Sequence, residues 1–357
     1  MALLRIASNR HEPVAGEPQS PARLPSSVQD RLAPADRRLL VRAALWSSHL
    51  HLADLTVDAV RSISRHQGID FATALLYDRL LRSPEHGSFI QRLESLPGTA
   101  NPARPLVATV VIVPGAFYVE FPHTGADGRL LREVAAQFGC RSELIPIASF
   151  GSLAANARTI CEWLTARVEE PVILVSLSKG GADMKTALAQ PDGPQAFRNV
   201  VAWINLCGLV NGSPLVDWLM RQRLRRLWYR LLFWLRGYDF QVIPEMACGP
   251  GNPLDFSLQL PAHMRLISVV GFPLARHMSN SLARRCFRRL QDLGPNDGAG
   301  ILLAEVCRLP GLLYPVWGAD HYMRPAWGDV RTVAIRIMHY LCEDWDTLVP
   351  PGRRVGG

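Results

Sequence analysis

Short apolar runs alternate with stretches of helical periodicity from about residue 105 onward. Continuous β-branched runs bounded by proline or glycine are typical of strands buried on both faces of a parallel sheet. The runs cover residues 106–113, 144–147, 172–176, 200–206, 266–270 and 312–316. Helical periodicity covers residues 127–138, 153–168, 180–190 and 330–341. The alternation predicts an α/β fold with a doubly wound, mostly parallel sheet and right-handed crossovers.

The chain ahead of this region has a different pattern. Residues 1–35 are rich in proline, serine, glutamate and arginine, which predicts a flexible lead-in. Apolar residues at helical spacing predict a helical N-terminal segment over 36–104, in which Asp70 would be the N-cap of the helix that follows it. The predicted α/β domain covers 105–346, and a flexible tail covers 347–357.

The segment 210–262, between two predicted strands, is too long for a simple connection and predicts a cap. Within it, leucines share one helical face and arginines share another. The leucines are Leu224, Leu227, Leu231 and Leu235, and the arginines are Arg223, Arg226 and Arg230. Three interpretations are open: a lid helix that packs its apolar side over the sheet, a helix at a membrane surface, or a helix that binds a partner protein.

The composition is typical of a globular chain with a large core. The 357 residues are 48% hydrophobic and 20% charged, with a net charge of +8. Lys179 and Lys185 are the only lysines, and no basic block or recognition helix indicates nucleic-acid binding. Seven scattered cysteines without a Cys-x-x-Cys pair predict reduced thiols. Since we find no signal-peptide core and no run of about 18 apolar residues, we expect a cytoplasmic protein.

The end of the run over 172–176 has the pattern of a nucleophile turn. It reads Ser176-Leu-Ser178-Lys-Gly180 and is followed by a helix-forming stretch. A strand-to-helix turn of this kind raises a catalytic serine above a sheet, and its usual pattern is Gly-x-Ser-x-Gly. Ser176 replaces the first glycine, and Gly180 keeps the second. An ordinary polar turn is the alternative, so the assignment of Ser178 depends on finding a base and an acid.

A histidine stands where such a serine needs its base. The apolar run over 312–316 leads through Gly318 to His321, at the carboxyl edge of the predicted sheet. His277, behind the run over 266–270, is the second candidate for the base. His123 is interpreted as a residue of the pocket entrance or of a solvent-facing loop.

The candidate acid is Asp297, in an Asn-Asp-Gly sequence ahead of the last predicted strand. The same three residues are also ordinary turn chemistry. Asp320 is adjacent to His321 and cannot easily turn back to orient its ring, so we rank it below Asp297.

An acyl-transfer site also needs two donors for the developing oxyanion. The turn after the first predicted strand, Val113-Pro-Gly-Ala116-Phe117, would offer the backbone amide of Ala116 or of Phe117. The amide of Lys179, at the head of a helix, would be the other donor. Tyr118 and Phe121 would then border the substrate.

Together these motifs resemble the α/β-hydrolases, in which the triad follows the chain order Ser, Asp, His. The resemblance rests on Val-Pro-Gly115, Ser-x-Ser178-Lys-Gly-Gly, Asn-Asp297-Gly and Gly-Ala-Asp-His321. It covers about residues 105–345 and leaves the N-terminal helices unexplained. Two features depart from the family pattern: Ser176 replaces a glycine, and the acid lies well after the run over 266–270.

The resemblance implies a serine hydrolase of the esterase or lipase type. Ser178, His321 and Asp297 would cleave a moderately apolar or lipid-like ester through an acyl-enzyme. We expect no metal and no organic cofactor, since the sequence has no His-Glu-x-x-His, phosphate loop or Gly-x-Gly-x-x-Gly. The alternatives are an acyltransferase with the same triad and a catalytically silent fold that binds a partner. Peripheral membrane contact through the cap helix is the remaining partner interpretation.

Overall fold

The computed structural model describes residue 24 and residues 32–102, 104–167, 170–324 and 330–349. Most of the predicted lead-in and most of the predicted tail therefore lie outside the described residues. The chain divides into two compact units. Unit 1 comprises Met1–Gln91, Gly271–Leu309 and Pro315–Gly328, and unit 2 comprises Arg92–Val270, Pro310–Tyr314 and Asp329–Gly357.

The described residues form six strands and fifteen α-helices, together with short 3-10 turns. The strands are β1 (Thr109–Val113), β2 (Arg141–Leu144), β3 (Val172–Leu177), β4 (Val200–Leu206), β5 (Arg265–Phe272) and β6 (Leu312–Trp317). The helices are α1 (Pro34–Leu45), α2 (Val57–Gln67), α3 (Ile69–Arg82), α4 (Pro84–Ser95), α5 (Arg129–Gln137), α6 (Leu153–Arg167), α7 (Gly180–Leu188), α8 (Gly193–Ala196), α9 (Pro214–Arg221), α10 (Arg223–Leu235), α11 (Val242–Glu245), α12 (Ser281–Leu290), α13 (Leu303–Val306), α14 (Val330–Glu343) and α15 (Trp345–Leu348).

The sheet has the order β2-β1-β3-β4-β5-β6. The pairs from β2 through β5 are parallel. Every residue of β1 and β3 is buried, as expected for β-branched runs covered on both faces. Helices α5, α6 and α7 alternate with these strands along the chain. The predicted α/β fold with a mostly parallel sheet is confirmed.

The second strand differs from the prediction. The apolar run over 144–147 predicts a strand, whereas β2 is Arg141–Leu144 and its residues alternate between exposed and half-buried. The reason is its place at the edge of the sheet, where one side has no neighbouring strand and burial is incomplete. Ile145 and Ile147 are buried, but they follow the strand.

Helix α3 is the most deeply buried helix of unit 1, with residues 71–81 all buried. The ring of Tyr77 packs on Phe272 at 5.8 Å and on Trp317 at 4.8 Å between ring centroids. The prediction that Asp70 is the N-cap is wrong, because α3 begins at Ile69. The Asp70 carboxylate makes a tertiary contact instead: its Oδ1 accepts a hydrogen bond from the amide of Ala275 at 2.8 Å.

Helix α1 carries a buried carboxylate into the core of unit 1. Asp36 is 2% exposed, and its Oδ2 lies 3.1 Å from Nε2 of His277 and 3.3 Å from Nε1 of Trp317. Arg276 also pairs with this carboxylate. A buried charge is tolerated only when such partners replace its hydration. Asp36 therefore ties α1 to the segments that follow β5 and end β6.

The segment between β4 and β5 contains α9, α10 and α11. Packing of the leucine side of α10 over the sheet, one of the three interpretations of this helix, is wrong. The four leucines of that side are between 45% and 84% exposed, so this face of the helix is turned to solvent.

Across the part of the chain that the structure describes, each helix is too short or too polar to cross a bilayer.

Replacing Asp36 by alanine should lower the free energy of unfolding by about 2–5 kcal/mol, because His277 and Trp317 would lose a buried acceptor. Guanidinium denaturation measures the change. Asp58→Ala is the matched control, since the Asp58 side chain is 84% exposed and pairs only with Arg61 on its own helix. Its cost should be about 0.5 kcal/mol. Equal costs for the two variants would contradict the packing of α1 described above.

Candidate active site

Ser178 follows the last residue of β3 in a left-handed turn. Its φ is 48°, which a residue with a side chain adopts only where its surroundings impose it. The Ser178 amide donates to the carbonyl of Leu206 at 3.1 Å. Its carbonyl accepts from the amides of Gly181 at 3.0 Å and Leu209 at 2.9 Å. The end of β4 and the start of α7 thus hold the turn that the sequence predicts for a nucleophile.

The small residues of the predicted pattern are required by close packing around this turn. A Cβ at Gly180 would lie 2.5 Å from the carbonyl oxygen of Val113, so any larger residue would push α7 away from β1. A Cβ at Gly115 would lie 3.4 Å from the Cβ of Ser178. The turn after β1 and the turn after β3 therefore lie against each other, both within unit 2.

Ser176, which replaces the first glycine of the pattern, has a defined role. Its buried Oγ donates to Oδ1 of Asn205 at 3.0 Å and accepts from Nε1 of Trp203 at 2.8 Å. Asn205 is directly opposite Ser176 in the pairing of β3 with β4, and Ser268 is opposite Asn205 in the pairing of β4 with β5. A row of buried polar side chains thus crosses three strands beneath the Ser178 turn. Asn205 is the one amide in an apolar strand, which is the signal by which the sequence could have shown it.

The side chain of Lys179 is part of a buried ion pair. Its Nζ lies 2.7 and 2.9 Å from the two carboxylate oxygens of Asp183, one turn along α7. Nδ2 of Asn156 donates to the same carboxylate at 3.2 Å. This pair fixes the first turn of α7, and the Lys179 backbone amide is the group that would face a substrate. The sequence analysis missed Asp183, although its spacing of four residues from the lysine is typical of helical ion pairs.

The three backbone amides expected at an oxyanion hole are available as hydrogen-bond donors. Within the described residues, the backbone N–H groups of Ala116, Phe117 and Lys179 donate no hydrogen bond, whereas that of Gly115 donates to Ala126 at 2.9 Å. Phe117 has a φ of 64°, so the chain turns sharply after β1. A site that stabilises an oxyanion needs backbone donors without partners next to the nucleophilic serine. Their assignment stays a prediction.

Tyr118 and Phe121, predicted to border the substrate, are in different situations. The hydroxyl of Tyr118 donates to the carbonyl of Ile147 at 2.7 Å and is thereby occupied. Phe121 is 40% exposed and packs on Phe117 with 5.6 Å between ring centroids. Phe121 therefore offers an accessible apolar surface, and Tyr118 supports the turn.

An aromatic cluster that the sequence analysis missed connects this turn to the predicted cap. Phe150 packs edge-on against Phe117 at 4.5 Å, against Phe233 of α10 at 5.1 Å and on Tyr238 at 4.4 Å. The hydroxyl of Tyr238 donates to Glu120 at 3.0 Å. These contacts join residues distant in sequence, so no local pattern indicates them.

Asp297 and His321 form a pair within unit 1. Nδ1 of His321 lies 2.5 Å from Oδ2 of Asp297, and the His321 amide donates to the Asp297 carbonyl at 2.7 Å. The other carboxylate oxygen accepts from the amides of residues 299, 300 and 301, each at 3.0 Å. The turn interpretation of Asn-Asp-Gly is thus confirmed, and the second carboxylate oxygen orients the imidazole. The role of Asp297 as the catalytic acid stays a prediction.

Burial and hydrogen bonding set the protonation of this pair. Burial by itself would raise the pKa of the Asp297 carboxyl, but His321 and the amides of Ile301 and Ala299 hold that pKa below its usual value. Burial by itself would lower the pKa of His321, but the Asp297 carboxylate raises that pKa above its ordinary value of 6.5. A carboxylate on Nδ1 is the arrangement that makes the other ring nitrogen, Nε2, a proton acceptor.

The rejected candidates have other partners. Asp320 accepts hydrogen bonds from the amide and hydroxyl of Ser279 at 2.9 and 2.6 Å. His277 lies against Asp36, and its Nδ1 accepts from the amide of Leu274 at 3.1 Å. Burial lowers the pKa of His277 to about 4, which makes it a neutral structural residue. His123 packs edge-on against Phe121 with 6.0 Å between ring centroids.

The strand order, together with a serine in a left-handed turn between β3 and α7, defines an α/β-hydrolase fold. No protein-family model matches the chain. No curated protein matches it either.

Solved structures to which the chain is similar include a metagenomic carboxyl esterase, MGS0156, and the mature form of the Bacillus licheniformis lipase BlEst2. The esterase is 21% identical, with 70% of this chain and 81% of that chain covered and a TM-score of 0.46. The lipase is 20% identical, with 70% and 93% covered and a TM-score of 0.45. The carboxylesterase CesB (YbfK) of Bacillus subtilis is 15% identical, with 68% and 86% covered and a TM-score of 0.34.

Replacing Ser176 by alanine should lower the free energy of unfolding by about 2–4 kcal/mol, because Trp203 and Asn205 would each keep a buried polar atom without its partner. Ser268→Ala is the matched control. Its Oγ is equally buried, on the adjacent side of Asn205, and has no hydrogen-bond partner among the described residues. That variant should lie within about 1 kcal/mol of the unchanged chain. Denaturant titration of both proteins measures the two losses of stability. A larger loss for Ser176→Ala indicates a specific hydrogen-bond network, whereas equal losses would show only that any substitution at a buried position destabilises the protein.

Proposed function

We propose that the protein is a serine hydrolase that cleaves moderately apolar carboxylic esters through an acyl-enzyme on Ser178. The observation that carries the proposal is the Ser178 turn. Ser178 is a non-glycine residue at φ 48°, directly after the carboxyl end of β3. It lies next to backbone amides that have no partner within the described residues. A serine in this strained conformation between a strand and a helix is the geometry of a nucleophile turn. The oriented and buried pair of Asp297 and His321 supports the same proposal.

In the proposed reaction, His321 takes the proton of the Ser178 hydroxyl as the oxygen attacks the ester carbonyl. Asp297 holds Nδ1–H, so Nε2 is the nitrogen that accepts the proton, and the carboxylate stabilises the imidazolium that forms. The amides of Lys179 and of Ala116 or Phe117 bind the tetrahedral oxyanion. His321 then protonates the leaving alcohol. Water, activated by the same histidine, releases the acid and restores the serine.

The aromatic cluster suits an apolar acyl or alcohol group. Phe117 and Phe121 are 38% and 40% exposed at and beside the proposed oxyanion turn, and Phe150 packs on Phe117. Each methylene that a substrate buries against such rings contributes about 0.8 kcal/mol. The proposed substrates therefore have acyl chains longer than acetate.

Ser178→Ala should lower the turnover of p-nitrophenyl esters by about 10⁴- to 10⁶-fold, because no other group supplies the covalent step. A fluorophosphonate probe should label the unchanged chain at Ser178, as mass mapping can show. Ser88→Ala, which alters an exposed serine on α4, is the control and should keep both turnover and labelling. Full turnover by purified Ser178→Ala protein would exclude the mechanism, and absence of any adduct would favour a catalytically silent fold.

Turnover should fall as the pH is lowered, with a midpoint above 6.5, because the proposed base acts only as neutral imidazole and Asp297 raises the pKa of His321. In Asp297→Asn the midpoint should move down, and turnover should drop by about 10⁴-fold. Asp58→Asn is the control, since the Asp58 side chain is 84% exposed on α2 and does not contribute to the pKa of His321, so its acid limb should change little. The pair has no catalytic role if Asp297→Asn keeps the profile of the unchanged enzyme.

A further inference from the structure

Helix α10 is attached to unit 2 by one side. Phe233 is its only buried residue, 8% exposed, and the ring packs on Phe150, Tyr238 and Phe240 at 5.1, 5.9 and 5.7 Å. At 100° per residue, the positions on the side opposite Phe233 recur every three or four residues. Those positions are occupied by apolar residues.

We name these residues the outer stripe: Leu224, Leu227, Trp228, Leu231, Trp234 and Leu235. Their exposed fractions are 84%, 57%, 57%, 45%, 73% and 64% in that order. A surface helix ordinarily turns its apolar stripe to the core and its charges to water. On α10 the broad apolar stripe faces solvent. A contiguous exposed surface of this kind marks an interaction site.

The charges around the stripe have a single sign. Six arginines occur from Arg221 to Arg236, and no aspartate or glutamate occurs from residue 218 to residue 238. None of the six forms an ion pair in the part of the chain that the structure describes; Arg225 lies over the ring of Trp218 at 4.9 Å. Exposed guanidinium groups without an ion-pair partner can bind anionic groups, and arginine is well suited to phosphate.

Leucine and tryptophan on one side, bordered by Arg223, Arg225 and Arg230 and without an acidic residue, are the features of a helix that lies in a membrane interface. The helix is 13 residues long, about 20 Å, which suits an orientation parallel to a bilayer surface. Six arginines without an intervening acidic residue are complemented by a surface of uniform negative charge, such as the headgroup layer of an anionic membrane. The charge therefore favours a layer of phosphate headgroups as the occupant.

We propose that the outer stripe of α10 docks the protein on membranes that contain anionic phospholipids. Leu224, Trp228 and Trp234 enter the boundary between headgroups and acyl chains, and the flanking arginines bind headgroup phosphates. The proposal does not depend on ester hydrolysis, because no residue of the stripe belongs to the proposed catalytic site.

Sedimentation of the full chain with vesicles tests the proposal. The vesicles are pure phosphatidylcholine, or phosphatidylcholine with about one third phosphatidylglycerol. Binding should be strong to the anionic vesicles, much weaker to the neutral ones, and reduced by salt. A combined Arg223→Gln, Arg225→Gln and Arg230→Gln variant should bind the anionic vesicles about 100-fold more weakly, at about fivefold for each arginine. A combined Leu227→Ser, Trp228→Ser and Trp234→Ser variant should lose binding by at least as much.

The matched control is Arg284→Gln with Arg285→Gln on α12, an exposed arginine pair on another helix. It should sediment like the unchanged chain, and so should Ser178→Ala, which separates docking from catalysis. Far-UV circular dichroism checks that each variant is folded. The proposal is overturned if the unchanged chain does not sediment with anionic vesicles at low salt, or if the stripe variant still does. The proposal is likewise overturned if the unchanged chain does not bind vesicles but forms an oligomer that the stripe variant cannot form. A second copy of the chain would then cover the stripe.

Discussion

The left-handed backbone of Ser178 is the constraint on which the rest of the candidate site depends. A serine gains nothing locally from a φ of 48°, so neighbouring elements must impose it. Leu206 at the end of β4 accepts its amide hydrogen bond, and Leu209 and Gly181 donate to its carbonyl. Val113 at the end of β1 leaves no room for a side chain at position 180. Three strand ends thus determine where one hydroxyl stands, and their positions follow from burial of the sheet.

Asp297 shows how one side chain can serve both local structure and chemistry. Its first oxygen accepts three amides of its own turn, and its second orients His321. His321 and the amides hold the pKa of the carboxyl below its usual value in spite of complete burial, since an opposite charge and hydrogen bonds to the charged form offset the cost of desolvation. The turn therefore supplies the charge that holds the proposed base in one orientation.

Most of the sheet and the pair of Asp297 and His321 could be predicted because their signals are local. β-branched runs identify β1 and β3, and turns of small residues mark where those strands end. The failures have a shared cause. The position of β2 at the sheet edge and the hydrogen bond of Asp70 with Ala275 depend on tertiary structure, and no local sequence pattern indicates them.

The orientation of α10 could not be predicted for a related reason. Amphipathic periodicity identifies a helix and its two sides, but it does not say which side meets the protein. Aromatic packing of Phe233 on Phe150 decides the orientation, and this contact joins residues that are distant in the sequence.

The buried polar row beneath the site has a consequence for how the strands find their register. All residues of β3, and all but the last of β4, are buried, so apolar character alone does not distinguish the native pairing from a slip of two residues that keeps the same faces inward. Such a slip would set Asn205 against Leu174 and remove the Ser176 hydroxyl that donates to its Oδ1. The Ser176 position therefore selects one alignment of β3 with β4. In that alignment alone, the chain leaves the sheet at Ser178 level with the end of β4.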